Sequence, residues 1–215
     1  MLALIQARSN SKRFNKKVLY KIYNKPLIQH VISKIKKSKK ISKTVVATSK
    51  LKTDDKLVKY LRSKKITVYR GELTNVAARL CKAAEKYKKL YFIRISADSP
   101  LIDYTLIDRA IKILRNNIQN KVDIVTNVFP KKFPKGQSVE IINRHTLNKN
   151  LKYMNNSQKE HVTKFFYENC SKFKIINFKP KGKITKFKLS IDSKKDLKNI
   201  LKHYDKKKFE NFKVQ

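Results

Sequence analysis

The sequence is poor in cysteine and glycine and has no long apolar run. It contains two cysteines and three glycines among 215 residues. Cys81 and Cys170 are far apart and show neither a CxxC pair nor the Cys/His spacing of a metal site, so we expect two free thiols buried in amphipathic helices. The apolar stretch 1–5 is too short for a signal peptide, and nothing later approaches the roughly twenty apolar residues of a membrane span. These absences predict a cytoplasmic protein with no membrane partner.

Acidic residues are also few. The 15 Asp and Glu stand against 54 Lys and Arg, for a formal net charge of +39. Such a charge is typical of nucleic-acid-binding proteins, which concentrate it in a patch or tail. Here lysine is spread over every segment, which indicates a compositional drift. We therefore disfavour a nucleic-acid partner, although the charge should help to recruit a polyanion such as a nucleoside triphosphate.

Arginine is informative because lysine is used almost everywhere else. A remaining arginine indicates a place where the planar, two-pronged guanidinium is needed. Five of the six arginines in the first hundred residues lie near segments with a candidate function: Arg8, Arg13, Arg70, Arg79 and Arg94. The other four are expected to be solvated on helices or turns: Arg62, Arg109, Arg115 and Arg144.

Short apolar runs alternate with segments of helical periodicity, which is the pattern of βαβ units around a largely parallel sheet. We predict strands over 2–7, 44–48, 66–69, 90–95, 122–126, 138–142, 173–178 and 184–191. We predict helices after an Asn24 cap, over 54–63, 76–87, 106–114, 157–170 and 194–203, with Ser157 and Glu160 forming a capping box. A fraying tail is expected from Asp205. The length suits one α/β domain.

The loop predicted over 8–17 is rich in basic side chains. In open parallel sheets, ligands bind at the carboxyl ends of the strands, where this loop begins. Its cations can surround a triphosphate: Arg8, Lys12, Arg13, Lys16 and Lys17. It contains no glycine, so it is neither a Walker loop nor a dinucleotide fingerprint. Taken alone, such a loop is a solvated face as often as a phosphate site.

Two aspartates follow predicted strands, Asp98 after 90–95 and Asp192 after 184–191. Mg²⁺ takes one or two carboxylates together with phosphate oxygens and waters. Each aspartate has a structural alternative, since Asp98 suits a turn before Pro100 and either Asp192 or Ser193 suits a helix cap. If both lie at neighbouring strand ends, the metal interpretation is favoured over either alternative.

The motifs, in their order, resemble the cytidylyltransferase superfamily, which includes the 3-deoxy-manno-octulosonate and acylneuraminate cytidylyltransferases. The opening motif is IQARSNSKRFNKKVL, over 5–19. Further matching blocks lie at 46–49, 69–71, 75–76, 94–103, 136, 139–140, 160–163, 190–192 and 196–197. The Glu-His-Val-Thr block at 160–163 is most similar to the branch typified by the spore coat polysaccharide biosynthesis protein SpsF.

The resemblance implies a Rossmann-like, three-layer fold of the nucleotide-diphospho-sugar transferase (glycosyltransferase-A) type. It implies transfer of CMP from CTP to a sugar acid or sugar phosphate, with release of pyrophosphate, Mg²⁺ as cofactor and a role in surface polysaccharide biosynthesis. We expect one domain over 1–215, with a nucleotide-binding half (1–126), a sugar-binding and oligomerisation part (127–190) and a C-terminal helix and tail (191–215). The sequence leaves the oligomeric state open, with a homodimer as the candidate because dimers are the commonest closed assembly.

The resemblance also assigns residues. Arg8, Arg13 and Lys17 match the triphosphate-binding positions, to which we give the catalytic role. The nucleotide set is Ala7, Arg8, Ser9, Asn10, Arg13, Lys17, Arg70, Gly71, Asn75, Arg79 and Asp98. The sugar set is Glu140, Glu160 and His161, and the metal set is Asp98 and Asp192. The remaining histidines, His30, His145 and His203, are expected to be ordinary helix residues.

Several positions depart from the family pattern. Asn15-Lys16 replaces the usual Pro-Gly, so either no positive φ is needed there or Asn15 supplies it. Asn75 and Ser138 stand where the SpsF branch commonly has Asp, which leaves the phosphate and metal positions intact. Three alternatives stay open: a GTP- or UTP-using enzyme of the same fold, a glycosyltransferase, and a basic nucleic-acid-binding protein.

Overall fold

A computed structural model describes residues 1–11 and 13–214. Its strands are β1 (Leu2–Gln6), β2 (Lys21–Ile22), β3 (Lys25–Pro26), β4 (Lys43–Ser49), β5 (Thr67–Gly71), β6 (Tyr91–Ser96), β7 (Ile124–Thr126), β8 (Glu140–Asn143) and β9 (Ile175–Asn177). Seven of them form one sheet in the order β5-β4-β1-β6-β8-β7-β9. Only the pairs made by β8, with β6 and β7, are antiparallel within that sheet. The predicted α/β class with a mostly parallel sheet is confirmed.

Nine helices connect or follow these strands in the described part of the chain. They are α1 (Leu27–Lys36), α2 (Asp55–Ser63), α3 (Val76–Lys86), α4 (Tyr104–Asn116), α5 (Arg144–Asn150), α6 (Asn156–His161), α7 (Lys164–Glu168), α8 (Lys194–His203) and α9 (Lys206–Asn211). None of the helices described is both long and apolar enough to cross a membrane. Crossover helices between parallel strands place helical layers on the two faces of the sheet.

The alternation of side chains along each strand builds two apolar cores, one on each face. In β1, Ala3 and Ile5 face the core shared with α1, α4 and the C-terminal helices, whereas Leu2 and Leu4 face the core shared with α3 and α5–α7. Phe92 lies in the second core. By the same alternation, the polar residues that follow it on β6, Arg94 and Ser96, point toward that side. The sheet therefore carries polar groups to its carboxyl edge on the α3/α6/α7 side.

The prediction that Asn24 caps a helix is wrong. Tyr23 and Asn24 have φ of 45° and 65° and form the turn between β2 and β3, and α1 begins after Pro26. Asparagine tolerates the left-handed region better than most residues, so the same side-chain chemistry that suits a cap also suits this turn.

The helix predicted over 157–170 is two short helices, α6 and α7. Val162, with φ 48° and ψ −63°, separates them. The capping box is formed by Asn155 and Gln158 instead of Ser157 and Glu160. The strand predicted over 184–191 is also absent, because that segment pairs with no strand of the sheet. Its backbone hydrogen bonds go to neighbouring loops instead.

Four further predictions are corrected at the periphery. Asp205 does not begin a fraying tail but caps α9, whose Phe209 is fully buried against Tyr23 and His30. Cys170 is exposed in a 3₁₀ turn over Cys170–Lys172, while Cys81 is buried in α3 as expected. Arg144 is half-buried, donating to Lys89 O, and begins α5, a helix that the periodicity did not predict. Arg109 is half-buried over the Phe178 ring.

Candidate active site

The loop after β1 is held in place by Asp54, a fully buried carboxylate that precedes α2. Asp54 accepts hydrogen bonds from the Ser9 amide (2.6 Å), the Thr48 hydroxyl (2.8 Å), and the amide and hydroxyl of Ser49. Burial by itself would raise the pKa of Asp54, but these four hydrogen bonds outweigh it and the pKa is lowered. The ionised carboxylate thus ties the start of the loop to the end of β4.

The loop closes on itself through a residue in the left-handed region. The Lys16 amide donates to Ser9 O (2.8 Å), and Lys16 has φ 54°. A positive φ is therefore present where the family pattern has glycine, but Lys16 supplies it and not Asn15. After this turn, the side chain of the next residue, Lys17, extends to Asp98 and Asp192. Lys12 lies outside the described residues.

Asp98 and Asp192 converge on the ammonium group of Lys17. Lys17 Nζ lies 3.3 Å from Asp98 Oδ2, 3.4 Å from Asp192 Oδ1 and 2.9 Å from the Ile191 carbonyl. Although 184–191 is not a strand, the Ile191 amide donates to Asp98 O (2.8 Å), which brings Asp192 to the end of β6. Ser193 caps α8 and Asp103 caps α4, so neither Asp98 nor Asp192 serves as a helix cap. Asp98 does lie in the turn before Pro100, where it also accepts a hydrogen bond from the Ser99 hydroxyl (3.1 Å).

Asp192 is supported by a second cation and a second carboxylate. Lys188 Nζ bridges Asp192 Oδ2 (2.9 Å) and Asp196 Oδ2 (2.8 Å), and Asp196 accepts the Asp192 amide. Partial burial would raise the pKa of Asp192, but the hydrogen bond from Lys188 and the charges of Lys17, Lys188 and Arg13 lower it. Asp192 is therefore ionised and held in position.

Arg8 and Arg13 extend from the loop into the cavity that Lys17, Asp98 and Asp192 also line. Arg8 pairs with Glu160 of α6 at 2.9 Å, with 42% of its side chain exposed. Arg13 lies 3.6 Å from Asp192 and is 73% exposed. Exposed guanidinium groups in weak pairs are available to a phosphate, because little free energy is lost when they exchange partners.

Arg79, on α3, lines another side of this cavity and is buried, with 3% exposure. It donates from Nη1 to the carbonyls of Glu72 and Leu73, and its Nε has no partner among the described residues. Burial lowers its pKa to about 10. Gly71 is required here because a Cβ at this position would lie 2.7 Å from Arg79 Cγ.

These residues enclose a cavity of about 400 Å³ at the carboxyl edge of β1 and β6. Its wall includes seven predicted residues of the nucleotide and metal sets: Ala7, Arg8, Arg13, Lys17, Arg79, Asp98 and Asp192. Five others do not line it: Ser9, Asn10, Arg70, Gly71 and Asn75. Arg70 instead binds the carbonyls of Ser49 and Leu51 and pairs with Asp55, and Asn75 caps α3.

A buried network leads away from this cavity. Arg94 donates from Nε to Gln6 Oε1 (2.8 Å) and from Nη1 to Glu140, its partner across β6 and β8. Glu140 is 3% exposed and also accepts from Thr163 (2.6 Å) and Tyr167 (2.7 Å). Burial, followed by the Glu140 charge, raises the pKa of Tyr167 well above its ordinary value, so the phenol stays a donor.

The network separates the first cavity from a second one of about 460 Å³. Both are lined by Arg94, Ser96 and His161. In the second, the Phe129 and Tyr167 rings stack at 4.7 Å with an interplanar angle of 4°. Its polar lining also includes Lys131, Ser138, Thr163, Lys164 and Glu168. Of the predicted sugar set, Glu140 lines this cavity, Glu160 the first, and His161 both.

Sequence reasoning missed Asp54, Gln6, Tyr167 and Lys188. A lysine in a lysine-rich chain carries no signal, and Asp54 looks like an ordinary residue at the start of a helix. Arg94 was noted as an arginine but received no role, although a lone guanidinium inside the apolar strand β6 is itself a signal for a buried acidic partner.

Comparison with known proteins agrees with this architecture. A family model described as cytidylyltransferase matches residues 2–213. The spore coat polysaccharide biosynthesis protein SpsF of Bacillus subtilis is 26% identical over 214 residues, covering 96% of this chain and 87% of SpsF. A cytidylyltransferase structure from Leptospira borgpetersenii is similar with a TM-score of 0.87 at 27% identity, covering 95% of this chain and 87% of that one. The structure of a CMP:2-keto-3-deoxy-manno-octonic acid synthetase complexed with CTP has a TM-score of 0.71 at 16% identity, covering 93% and 95%, which shows a shared fold.

Proposed function

Because the chain belongs to the cytidylyltransferase family, we propose that it transfers CMP from CTP to a sugar acid or sugar phosphate and releases pyrophosphate. One observation carries the proposal. Three cations of the loop after β1 meet two carboxylates, Asp98 and Asp192, around one cavity at the carboxyl edge of the sheet. That is where open α/β sheets bind their ligands.

The triphosphate fits the loop side of this cavity. Arg8 and Arg13 present partly free guanidinium forks, which suit phosphate oxygens, and Lys17 supplies a point charge. A triphosphate carries about four negative charges, so all three cations are needed to compensate the charge that builds up on the leaving pyrophosphate. The Asp54 anchor keeps the loop in one shape, so that these donors are in place before the nucleotide arrives.

Two carboxylates converging on one ammonium show that the site accommodates a cation at that point. No group of three or more His, Cys, Asp or Glu side chains in the described chain is arranged to hold a metal. Two carboxylates suit Mg²⁺, because it completes its shell with phosphate oxygens and water. Asp98 and Asp192 would hold it, and when bound it would polarise the α-phosphate.

The nucleoside end is assigned to the wall formed by Val76 and Arg79. Arg79 holds the carbonyls of Glu72 and Leu73, so the turn between β5 and α3 is rigid. The Arg79 side chain lines the cavity beside Val76, which gives this wall one cationic and one apolar residue, although the Arg79 Nε itself is enclosed by the described protein. This wall supports recognition of a base and ribose.

The acceptor is assigned to the second cavity. The flat face offered by the Phe129/Tyr167 stack suits the apolar face of a sugar ring, and Ser138 and Thr163 can bind its hydroxyls. Lys131 and Lys164 favour an acceptor with a carboxylate or phosphate, although Lys164 also lies 3.7 Å from Glu168 and Arg94 is already paired with Glu140. Because both cavities share Arg94, Ser96 and His161, an acceptor here adjoins the α-phosphate.

In the reaction, an acceptor oxygen forms a bond to the α-phosphorus of CTP while the bond to the bridging oxygen of the β-phosphate breaks. A hydroxyl acceptor releases its proton to water, a phosphate oxygen attacks as the anion, and pyrophosphate leaves toward Arg8 and Arg13. The protein contributes chiefly by alignment and charge compensation, which dominate transfers of this kind. The similarity to SpsF supports a role in surface polysaccharide biosynthesis.

An assay of the purified protein tests this proposal. It is incubated with Mg²⁺, each of the four nucleoside triphosphates in turn, and a panel of sugar acids and sugar phosphates, and both pyrophosphate and product mass are followed. CTP should be used in preference, with a product heavier than the acceptor by one CMP unit. Preferred use of GTP or UTP would reassign the nucleotide. Consumption of a nucleotide sugar without pyrophosphate would indicate a glycosyltransferase.

A further inference from the structure

The ammonium group of Lys17 lies at the point on which both candidate metal ligands converge. Its three contacts are Asp98 Oδ2, Asp192 Oδ1 and the Ile191 carbonyl, all oxygens within 3.4 Å. An ammonium surrounded by two carboxylates and a carbonyl is in an environment of hard oxygen ligands, which is also the environment that Mg²⁺ prefers. One side chain of the protein thus stands where a divalent ion is expected.

The charges around this point are already balanced. Asp98 and Asp192 face Lys17, and Asp192 is also approached by Arg13 at 3.6 Å and by Lys188 at 2.9 Å. The next carboxylate, Asp196, pairs with Lys188. Three cations therefore meet three carboxylates, so a divalent ion entering this cluster would add two uncompensated positive charges unless a cation left. Of these three cations, Lys17 is the one in contact with both Asp98 and Asp192.

We propose that Lys17 occupies the metal position in the nucleotide-free protein, so that metal binds only after or together with the triphosphate. This inference rests on the proposed function, through the assignment of Asp98 and Asp192 as metal ligands. The triphosphate supplies new acceptors for the Lys17 ammonium, which moves to the phosphates and leaves both carboxylates to the ion.

Lys17 is the cation that can leave. Lys17 lines the cavity and is the first residue of the 3₁₀ turn that follows the loop (Lys17–Leu19). Lys188 does not line the cavity and pairs with both Asp192 and Asp196. Partial burial would raise the pKa of Asp196, but hydrogen bonds from Lys188 and the backbone lower it to about 2. A triphosphate in the cavity therefore competes with the carboxylates for Lys17 and not for Lys188.

The consequence is positive coupling between nucleotide and metal. Each ligand removes an obstacle to the other, since the triphosphate withdraws Lys17 and the metal neutralises the carboxylates that hold it. Thermodynamic linkage makes this effect reciprocal. A protein built in this way avoids holding Mg²⁺ in the absence of its substrate.

Binding of Mn²⁺ alone, without nucleotide, tests the proposal by electron paramagnetic resonance of the free ion and by calorimetry. Wild type should bind Mn²⁺ weakly at this site. Lys17→Met, which keeps the length of the side chain but removes the charge, should bind it about tenfold more tightly, as expected for removal of one nearby like charge. Lys17→Arg keeps a cation and should remain weak. If Lys17→Met unfolds, as judged by thermal denaturation, Lys17→Gln is measured in its place.

Two controls locate the effect. Lys21→Met removes one exposed positive charge just beyond this loop, at a residue that does not line the cavity, so its Mn²⁺ affinity should equal that of wild type. Adding Asp98→Asn to Lys17→Met should abolish the gain. Equal Mn²⁺ affinity in wild type and Lys17→Met, or a gain that survives Asp98→Asn, would overturn the proposal. CTP turnover is measured separately, so a failed turnover assay counts against the proposed function and not against this comparison.

Discussion

Within the site, the same side-chain type performs different tasks according to its burial. Arg8 and Arg13 are exposed and weakly paired, so they can change partners. Arg94, with 16% of its side chain exposed, is fixed by Glu140 and Gln6 and shapes the boundary between two cavities. Removing one partner of such a buried pair is costly because it leaves an uncompensated charge. We therefore expect substitutions of Arg8 to affect nucleotide binding and substitutions of Glu140 to affect folding as well.

Asp98→Asn should reduce turnover by about a hundredfold or more, because the amide removes a negative charge from the metal position where charge compensation is needed. Steady-state pyrophosphate release measures the effect. Glu85→Gln is a suitable control, since Glu85 is an exposed carboxylate paired with Arg144 away from the cavity. Wild-type turnover in Asp98→Asn would show that the metal assignment is wrong.

The two thiols should differ in reactivity. Burial raises the pKa of Cys81 to about 11, whereas Cys170 is exposed. Because the thiolate is the reactive species, one thiol per native chain should react rapidly with an aromatic disulfide reagent at pH 8, and two after unfolding in urea. Cys170→Ser should remove the rapid phase. Two rapid thiols in the native protein would contradict the burial of α3.

At the scale of elements, the C-terminal helix α9 is docked on α1 by an unusual buried lysine. Lys34 is 4% exposed and donates to the carbonyls of Glu210 and Phe212, at the end of α9. The carboxyl end of a helix carries a partial negative charge, which favours a cation there. Just beyond, the Val214 amide donates to the fully buried Asp103. These contacts anchor α9 and the described residues that follow it, up to 214, although the sequence there is mostly charged.

Burial lowers the pKa of Lys34 from 10.5 to about 8. A folded-state pKa below the unfolded value means that protonated Lys34 destabilises the fold below pH 8, and that this cost is relieved as the pH rises from about 8 to 10.5. The free energy of unfolding of wild type relative to Lys34→Met should therefore rise over that range, by up to about 3 kcal/mol. Urea denaturation at pH 7 to 10.5 measures it.

Lys36→Met is the matched control for this pH dependence, because Lys36 lies on the same helix as Lys34 but is exposed. Lys36→Met should keep the rise in stability that Lys34 gives wild type over the same range. A flat difference between wild type and Lys34→Met would show that Lys34 is not buried as a cation.

At the scale of the whole molecule, the net charge of +39 acts on every anionic ligand. The charge is distributed over the chain, so its long-range part is screened as the Debye length falls from about 10 Å at 0.1 M salt to about 3 Å at 1 M. The homodimer and the division of the chain at 126 and 190 stay predictions at this scale. A specific site arises where Arg8, Arg13 and Lys17 line one cavity at the carboxyl ends of β1 and β6.

Binding of CTP should weaken steeply with ionic strength, whereas binding of cytidine, which lacks phosphates, should hardly change. Calorimetric titrations between about 0.05 and 0.5 M salt measure both ligands. The reason is that the triphosphate interacts with both the local cations and the overall charge. Equal salt dependence for CTP and cytidine would contradict a cationic triphosphate site. Retention of a nucleic-acid complex in excess CTP would instead favour the nucleic-acid alternative.

The alternation of apolar residues was enough to predict the α/β class, the buried strands β1, β4 and β6, and the helix over 194–203, since periodicity reports which face of an element is buried. It failed at Val162 and over 184–191, because the apolar pattern continues there although a positive φ at Val162 interrupts the helix and the second segment has no strand partner. The loop after β1 was recognised as cationic from sequence, but its anchor on Asp54 was not.

Sequence order alone determined which residue types were available for a phosphate and metal site, because composition and strand ends are local properties. Tertiary packing alone decided that Lys17 meets Asp192, 175 positions away, and that Arg94 meets Glu140. Such pairs depend on the order of strands in the sheet and on how the 184–191 segment returns to β6. The physical reason is that the energy of an ion pair depends on the distance between the two charges and on their burial. Neither quantity can be calculated from the number of residues that separate the pair along the chain.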